Sequence, residues 1–431
     1  MSLNIIILAA GRGTRMKSVL PKVLHELSGK ALLDHVISTV QTLSPANIYI
    51  TIGYEAEQIK AYFKDKFKNI HWVIQENLLG TGDAVKQVLP HLKNPDDKAL
   101  VLYGDMPLVP AQTLQNLISH TTSDQLGIVT THVDNPHGFG RIIRDAQHKI
   151  INIIEEKDAD SAQKNITEIN PGIYLTSVKN LQHWIPNIKS NNSQKEFYLT
   201  DIVSMANAIT SITAENPHEV LGVNDLEQLY QLECVHQAEI AKKFRLSGVT
   251  VSSNVRFEGD VEIGAGSKIG ANSIIKNSKI GKNVEIKPNS IIEDSVIHDE
   301  CSVGPFARLR PGTVLDKKVK IGNFTEIKKS HIGEGSKVPH LSYVGDAVLG
   351  KHVNFGAGSI ICNYDGVNKH QTVIGDNVFV GSDSQLIAPV KIGNGAFIGA
   401  GSTITKDAPA NKLTVARARQ TTVESWKPPK K

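Results

Sequence analysis

Two stretches near the N-terminus carry residues suited to phosphate chemistry. Gly11-Arg12-Gly13-Thr14-Arg15-Met16 is a glycine-rich turn with two guanidinium groups, and Pro21-Lys22 sets a lysine shortly after it. Small residues let backbone N–H groups approach phosphate oxygens, and the arginines add positive charge. The spacing is not the dinucleotide fingerprint, because Met16 stands where a third glycine belongs. It is not a P-loop either, since no Lys-Ser/Thr pair closes it. Alone, such a loop reads equally well as a surface turn; with strand, loop, arginine and Pro-Lys in series, phosphate binding is the better reading.

Further polar residues fall where strands end. Gln75 and Gly80-Thr81-Gly82 follow one apolar run, and Tyr103-Gly104-Asp105 follows another. A carboxylate at the tip of a buried strand is a magnesium ligand in the making, since a hard cation takes carboxylate oxygen and bridges to phosphate. The competing reading is that Asp105 caps the next turn. Gly140 in GFGRII, Glu155 in IIEEKDA and Asn170 in EINPGIY each read singly as loop residues, and Asn224 in VLGVND is an amide at a further strand end, able to share a cation with Asp105.

The elements that position these residues alternate. Residues 4–10 (NIIILAA) form a short aliphatic run bounded by glycine, the pattern of a buried parallel strand. Helices are expected over 32–43 and 55–67, and strands over 48–52, 71–75 and 99–102. That order implies an open, mostly parallel sheet with ligands at the strand C-terminal ends. From Asp225 to about Leu246, Leu226, Leu229, Leu232, Val235 and Ala238 line one helical face, with Cys234 expected to pack within it.

Beyond this helix the period becomes six. Ile374, Val380, Leu386, Ile392, Ile398 and Ile404 form the cleanest run, and similar hexads begin at Ile263. Six fits neither a helix nor a long strand. It is the mark of a hexapeptide-repeat parallel β-helix, in which three hexads make one triangular coil with its aliphatic residues stacked inside. The spacing breaks between Ile361 and Ile374, where Asn363-Tyr364-Asp365-Gly366 reads as a loop extruded from the coil. A basic tail runs through Arg417 and Trp426 to KPPKK.

Composition narrows the class. Aromatic residues make up 5%, which suits a narrow β-helix interior, and a formal charge of +4 is mildly basic without a nucleic-acid footprint. Three scattered cysteines, Cys234, Cys301 and Cys362, argue against a disulfide framework and for a reducing compartment. The N-terminus lacks the basic flank of a signal peptide, and no stretch has the ~20 apolar residues of a membrane span. A cytoplasmic protein without membrane insertion is expected.

In order, LAAGRGTRM with its downstream PK, QENLLGTG, YGDMPL, GFGR, EEKDA, EINPGIY and GVND, then FARLRPG, PHLSYVGD and CNYDG, make a chain-long series. The series resembles the bifunctional N-acetylglucosamine-1-phosphate uridyltransferase / glucosamine-1-phosphate acetyltransferase family. The resemblance implies a Rossmann-like α/β nucleotidyltransferase domain over 1–224, a linking helix over 225–246, and a left-handed parallel β-helix with a C-terminal tail over 247–431.

It implies that Leu8, Ala9, Ala10, Gly11 and Lys22 hold the nucleotide, with Gln75, Gly80 and Thr81 facing uracil. Tyr103, Gly104, Gly140, Glu155 and Asn170 would bind ribose, sugar hydroxyls and the acetamido group. Asp105 and Asn224 would ligate Mg²⁺, and Arg15 and Lys22 would neutralise charge on the phosphates. In the β-helix, Arg310, Lys328, Tyr343 and Asn354 would bind the sugar phosphate, and His340 would be the general base, oriented by Glu326. Ala357, Asn363, Tyr364, Ser382, Ala400 and Arg417 would line the acetyl-CoA groove.

A lone histidine reads more readily as a packed corner residue; PHLSYVGD beside Arg310 and Lys328 reverses that. Cys362 reads as a wall residue, since nothing nearby supplies it a base. The implied substrates are glucosamine-1-phosphate, N-acetylglucosamine-1-phosphate, UTP and acetyl-CoA, the product a precursor for peptidoglycan and lipopolysaccharide, and the assembly a homotrimer sharing the acetyl site. Departures from the family pattern are Asp83 and Glu156, where histidine is usual, Pro171, where threonine is usual, and a first stretch of β-helix about one coil short. Two alternatives stand beside this reading: a nucleotidyltransferase whose β-helix only oligomerises or regulates, and a non-enzymatic scaffold with a degenerate site.

Overall fold

The structure is a computed structural model describing residues 1–67 and 69–429. Lys430 and Lys431 of the KPPKK tail lie outside the described residues. The chain divides into two compact units, Met1–His236 and Gln237–Lys431.

The first unit is built on one ten-stranded sheet. Its first half is parallel, as the alternation predicts: Ile70–Ile74, Asn47–Ile52, Leu3–Leu8 and Lys98–Tyr103 lie side by side. Helices Leu32–Gln41, Ala56–Phe63, Thr81–Val88 and Ala111–His120 occur between or after these strands. Ile5, Ile6 and Ile7 are fully buried, because a central parallel strand has both faces covered.

The second half corrects the expectation of a mostly parallel sheet, for the sheet as a whole is mixed. Tyr174–Ser177 runs antiparallel to Lys98–Tyr103 and to Leu126–His132, and Glu168–Asn170, Gly140–Arg144 and Ile150–Ile154 continue antiparallel. Only Ile209–Ala214 returns parallel, on Leu126–His132. Short connections such as Asp145–Lys149 join neighbouring strands here, and hairpins require antiparallel pairing. Between Asn170 and Tyr174 the strand is interrupted at Pro171-Gly172: proline has no N–H for the ladder, and Gly172 takes φ +95°.

In the second unit, three all-parallel sheets of ten, nine and eight strands make the β-helix. The hexad residues stack in register, as in Ile269, Ile286, Val303, Ile321 and Val338 along one sheet, so these coils take 17 or 18 residues each. These side chains form one continuous buried core. Half-buried Ile263 is the exception near its start.

A second buried ladder, unforeseen in the hexad reading, consists of hydroxyls. Ser336 donates to the Gly350 carbonyl at 2.8 Å and accepts from the Val353 N–H at 2.9 Å. Ser267 does the same for Gly281 and Val284. Such residues satisfy corner backbone groups that the sheets leave unpaired.

Helix Leu226–Leu246 spans the division between the units. Its side chain of Gln237 both donates to and accepts from the Phe257 backbone, at 2.6 and 2.9 Å, as a neighbouring strand would. Ile240, Ala241 and Phe244 pack on the core of the first coils, covering an end that would otherwise expose apolar residues. Leu226 is exposed and Leu232 buried, and Cys234, expected to pack within the helix, is exposed. Among the described residues no helix is long and apolar enough to cross a membrane.

Candidate functional site

In the first unit, the strand ends open on a cleft of about 690 Å³ lined by Leu8, Ala9, Ala10, Gly11, Arg12, Lys22, Gln75, Gly80, Thr81, Tyr103 and Asp105, among others. A Cβ on Gly11 would meet nothing within 4 Å. Gly13 serves differently: at φ +59°, its added Cβ would lie 2.7 Å from Lys22 Cβ, so its lack of a side chain lets Lys22 close on the loop.

Lys22 makes a short ion pair with Asp105. Arg15 Nη2 donates to Asn224 Oδ1 at 2.8 Å. The Val223 N–H donates to the Asp105 carbonyl at 3.0 Å, which brings the Asn224 segment beside Asp105. Each expected metal ligand is thus held by a cation. Among the described residues no three His, Cys, Asp or Glu side chains converge on one point. One carboxylate and one amide oxygen fit a cation that completes its shell with water and substrate phosphate, which is the habit of Mg²⁺.

Tyr103 lines the cleft. Its ring lies against Gly172, whose added Cβ would fall 1.9 Å from Tyr103 Cε2. Burial and the nearby carboxylates of Glu155 and Asp105 push the phenol far above its ordinary range, so it stays a neutral hydrogen-bonding group. Glu155 is also raised, first by burial, with Thr200 donating to it at 3.3 Å. Asn170 braces the Gly172 turn: its Nδ2 donates to Tyr174 Oη at 2.6 Å, and its Oδ1 accepts from the Gly172 N–H at 3.0 Å.

Not every expected residue lines this cleft. Gly104 is buried behind it against Leu33 and Ala9, and Gly140, Glu155, Asn170 and Asn224 lie outside its lining. Thr81 lines it, yet its hydroxyl accepts from the Leu199 N–H at 2.9 Å. Gly80 is required because a Cβ would strike the Phe197 carbonyl at 2.6 Å. Arg12, one of the two arginines of the glycine-rich turn, lines the cleft, and so does Glu196, which was not among the expected residues. Glu156 anchors the 137–139 loop, accepting from Arg141 at 2.6 Å and from the Gly138 N–H at 3.2 Å.

In the β-helix, His340 ends strand Lys337–His340, directly in register with Asn323. Its Nδ1 lies 2.5 Å from Asn323 Oδ1. With that carbonyl facing it, Nδ1 carries the proton and Nε2 keeps its lone pair, the tautomer a base needs. The expectation that Glu326 orients His340 is therefore corrected. Glu326 belongs to the adjoining sheet and accepts from Arg310 Nη1 at 2.8 Å. A strand-end asparagine on the neighbouring coil is the nearer partner, and only coil register reveals it.

Arg310, Lys328 and Tyr343 come from three consecutive coils of that adjoining sheet. The Tyr343 ring lies across Gly345, where a Cβ would meet its hydroxyl at 2.4 Å. Lys328 loses its proton more readily than an ordinary lysine, chiefly because Lys369 crowds it, with Arg310 adding to the effect. Lys369 extends this positive cluster, and sequence reasoning missed it because it stands on the far arm of the extruded loop.

That loop forms as expected between strands Ile360–Cys362 and Thr372–Ile374, with Tyr364 and Lys369 bridged. Asn363 is buried and donates to Asp346 at 2.6 Å, anchoring the loop, whereas Tyr364 is exposed. Cys362 is half-buried, and burial pushes its thiol up, away from a nucleophile's range.

From His340 the remaining expected residues climb one corner, coil by coil. The Gly358 N–H, next to Ala357, donates to the His340 carbonyl at 3.1 Å, and the Asp383 N–H, next to Ser382, to the Ala357 carbonyl at 2.8 Å. The Gly401 N–H, next to Ala400, donates to the Ser382 carbonyl at 2.8 Å, and Arg417 Nη1 to the Ala400 carbonyl at 2.8 Å. Four coil steps separate His340 from Arg417, about 19 Å at the spacing of paired strands. Asn354 lies on the His340 sheet, in register with Lys337.

Comparison with known proteins agrees with this architecture. Models of the MobA-like NTP transferase domain and of six bacterial transferase hexapeptide repeats match residues 5–179 and 371–406, and one of the GMPPB C-terminal domain matches 244–323 and 296–386. The chain is 47% identical over 454 residues to the bifunctional protein GlmU of Marinobacter nauticus, covering 100% of this chain and 99% of that one. It is 46% identical to the GlmU of Herminiimonas arsenicoxydans and 49% to that of Francisella tularensis subsp. novicida, in each case over 100% of this chain and 99% of the relative. The chain belongs to the bifunctional GlmU family.

Proposed function

We propose that this chain makes UDP-N-acetylglucosamine in two steps, acetylation in the β-helix and uridylyl transfer in the α/β unit. In the first, the amine nitrogen of glucosamine-1-phosphate attacks the thioester carbon of acetyl-CoA. The C–S bond breaks, the thiolate of coenzyme A departs, and His340 Nε2 takes the amine proton and returns it to the sulfur. Arg310, Lys328 and Lys369 hold the phosphate, with Tyr343 and Asn354 beside the sugar. The climbing series Ala357, Ser382, Ala400 and Arg417 suits an extended ligand with its thioester at the His340 end, and this ladder is the observation that carries the acetyl-CoA assignment.

In the second step a phosphate oxygen of N-acetylglucosamine-1-phosphate attacks the α-phosphorus of UTP and pyrophosphate leaves. No protein nucleophile takes part; the chain positions the reactants and neutralises charge. Leu8 through Gly11 approach the nucleotide with backbone groups, and Gln75 reads the base. Tyr103, Gly140, Glu155 and Asn170 shape the sugar pocket, and Gly104 gives the floor its close packing. Asp105 and Asn224 would hold Mg²⁺, which would supply electrophilic stabilisation of the phosphates. Lys22 and Arg15, paired here with Asp105 and Asn224, would be free to meet phosphate oxygen with those partners on the cation.

The domain boundaries we assign are 1–224 for the uridyltransferase, 225–246 for the linking helix and 247–431 for the acetyltransferase with its tail. A cytoplasmic homotrimer fits this reading, because a three-faced prism suits cyclic neighbours, and the scattered cysteines suit a reducing compartment. The test is dissection: His340→Ala is expected to abolish acetyl transfer and spare uridylyl transfer, and Asp105→Ala the reverse. Loss of both activities in either variant overturns the two-site assignment.

A further inference from the structure

Gln75 follows strand Ile70–Ile74, and Asp83 stands in the first turn of helix Thr81–Val88. Both are nearly inaccessible, with 4% and 8% of their surfaces exposed, yet Gln75 lines the nucleotide cleft. Gln75 Nε2 donates to Asp83 Oδ2 at 2.7 Å and to the Gly80 carbonyl at 3.1 Å. The other Asp83 oxygen accepts from Gln87 Nε2 at 3.1 Å, so the carboxylate is itself held in place.

A glutamine amide has two N–H donors and one carbonyl, and both donors are committed here. Turning the amide over would set its carbonyl oxygen against a carboxylate and a backbone carbonyl, in a site too buried for water to relieve the repulsion. One orientation survives. In it Gln75 Oε1, without a hydrogen-bond partner among the described residues, is the atom left to meet a ligand.

We propose that Asp83 is a positioning residue that locks the Gln75 amide, making it an acceptor-only reader of the nucleobase and setting the preference for uridine over cytidine nucleotides. This rests on the reading that a uridine nucleotide occupies the cleft. The imide edge of uracil carries one donor, N3–H, between two carbonyl oxygens, so a fixed acceptor pairs only with N3–H. Cytosine offers a lone pair at N3, where the two acceptors repel, and its donor on that edge, N4–H₂, lies where uracil carries O4. A glutamine free to turn over would serve either base. An alternative role for Asp83, stabilising the helix N-terminus through the backbone dipole, would affect both nucleotides alike.

The test uses the full-length protein and measures kcat/KM of uridylyl transfer with UTP, with CTP and with N3-methyl-UTP. The wild type is expected to favour UTP over both by about a hundredfold or more, as a site built on one substrate hydrogen bond does. Asp83→Asn gives residue 83 an amide that accepts or donates, so Gln75 can turn; the UTP-to-CTP ratio is expected to fall by about tenfold or more. Asp83→Ala, which removes the acceptor, is expected to lower the ratio too and serves if Asp83→Asn does not fold.

An unchanged ratio in a folded variant with lowered activity toward both nucleotides assigns Asp83 to the helix alone and overturns the proposal. Wild-type turnover of N3-methyl-UTP comparable to that of UTP overturns it without any variant. A wild type that turns over none of the three overturns instead the reading on which the proposal rests.

Discussion

Replacing Gly172 with alanine drives a methyl group into the ring of Tyr103. The added Cβ would lie 1.9 Å from Cε2 and 2.6 Å from Cδ2, on a residue held at φ +95°. Two costs combine: a non-glycine residue in that backbone region, and overpacking of about 1–3 kcal/mol. The ring must retreat by about 1.5 Å to regain ordinary contact, and a misplacement near 1 Å at a reacting centre costs about a hundredfold in rate. The Asn170 brace on the Gly172 N–H resists relief by backbone movement. We expect Gly172→Ala to lower kcat/KM of uridylyl transfer about a hundredfold, read by pyrophosphate release, and to leave acetyl transfer, read by free coenzyme A thiol, intact. A variant with wild-type uridylyl transfer would refute the placing of Tyr103 at the heart of the sugar-nucleotide site.

Two further outcomes follow from geometry. Burial raises the Glu155 carboxyl, so the folded state binds that proton more tightly than the unfolded chain. The stability linked to it is complete below the ordinary value of about 4.3 and is lost as pH rises through the folded value. Glu155→Gln should therefore match the wild type in Tm near pH 4, exceed it at pH 7, and lose uridylyl activity; a Tm difference independent of pH would contradict this. Asn323→Leu removes the partner of His340 Nδ1 and should slow acetyl transfer by about tenfold or more, with uridylyl transfer unchanged. Unaltered acetylation would mean that Asn323 does not orient the base.

The legible parts of this chain are those whose physics is local or periodic. The hexads announce the β-helix because every coil repeats one demand, an aliphatic residue pointing inward, and the break after Ile361 announces the loop because it violates that demand. The parallel half of the first sheet is legible through its alternation with helices. The antiparallel half is not, since its strands pair through hairpins and an interruption at Pro171-Gly172 that carry no periodic signal.

Within the sites, residues belonging to a motif were found and residues acting across the fold were not. Asn323 meets His340 through coil register, Lys369 meets Lys328 across a loop, and Asp83 meets Gln75 across a strand–helix turn. Asn323 and Lys369 are ordinary in sequence, and Asp83 stood out only as a departure from the family pattern; the pairing of each becomes specific only through three-dimensional placement. The Lys22–Asp105 pair is a further case: both residues were picked out singly, for phosphate and for metal, and their mutual pairing is a tertiary fact.

The central claim, that one chain carries two complementary active sites, is tested most directly in a single reaction. The purified protein is incubated with glucosamine-1-phosphate, acetyl-CoA, UTP and Mg²⁺, and products are followed by mass spectrometry with and without chelator. The account predicts UDP-N-acetylglucosamine, free coenzyme A and pyrophosphate in the complete mixture, and N-acetylglucosamine-1-phosphate accumulating when Mg²⁺ is removed. Formation of no acetylated sugar while supplied N-acetylglucosamine-1-phosphate is still uridylylated would contradict it, leaving the β-helix a structural or regulatory element.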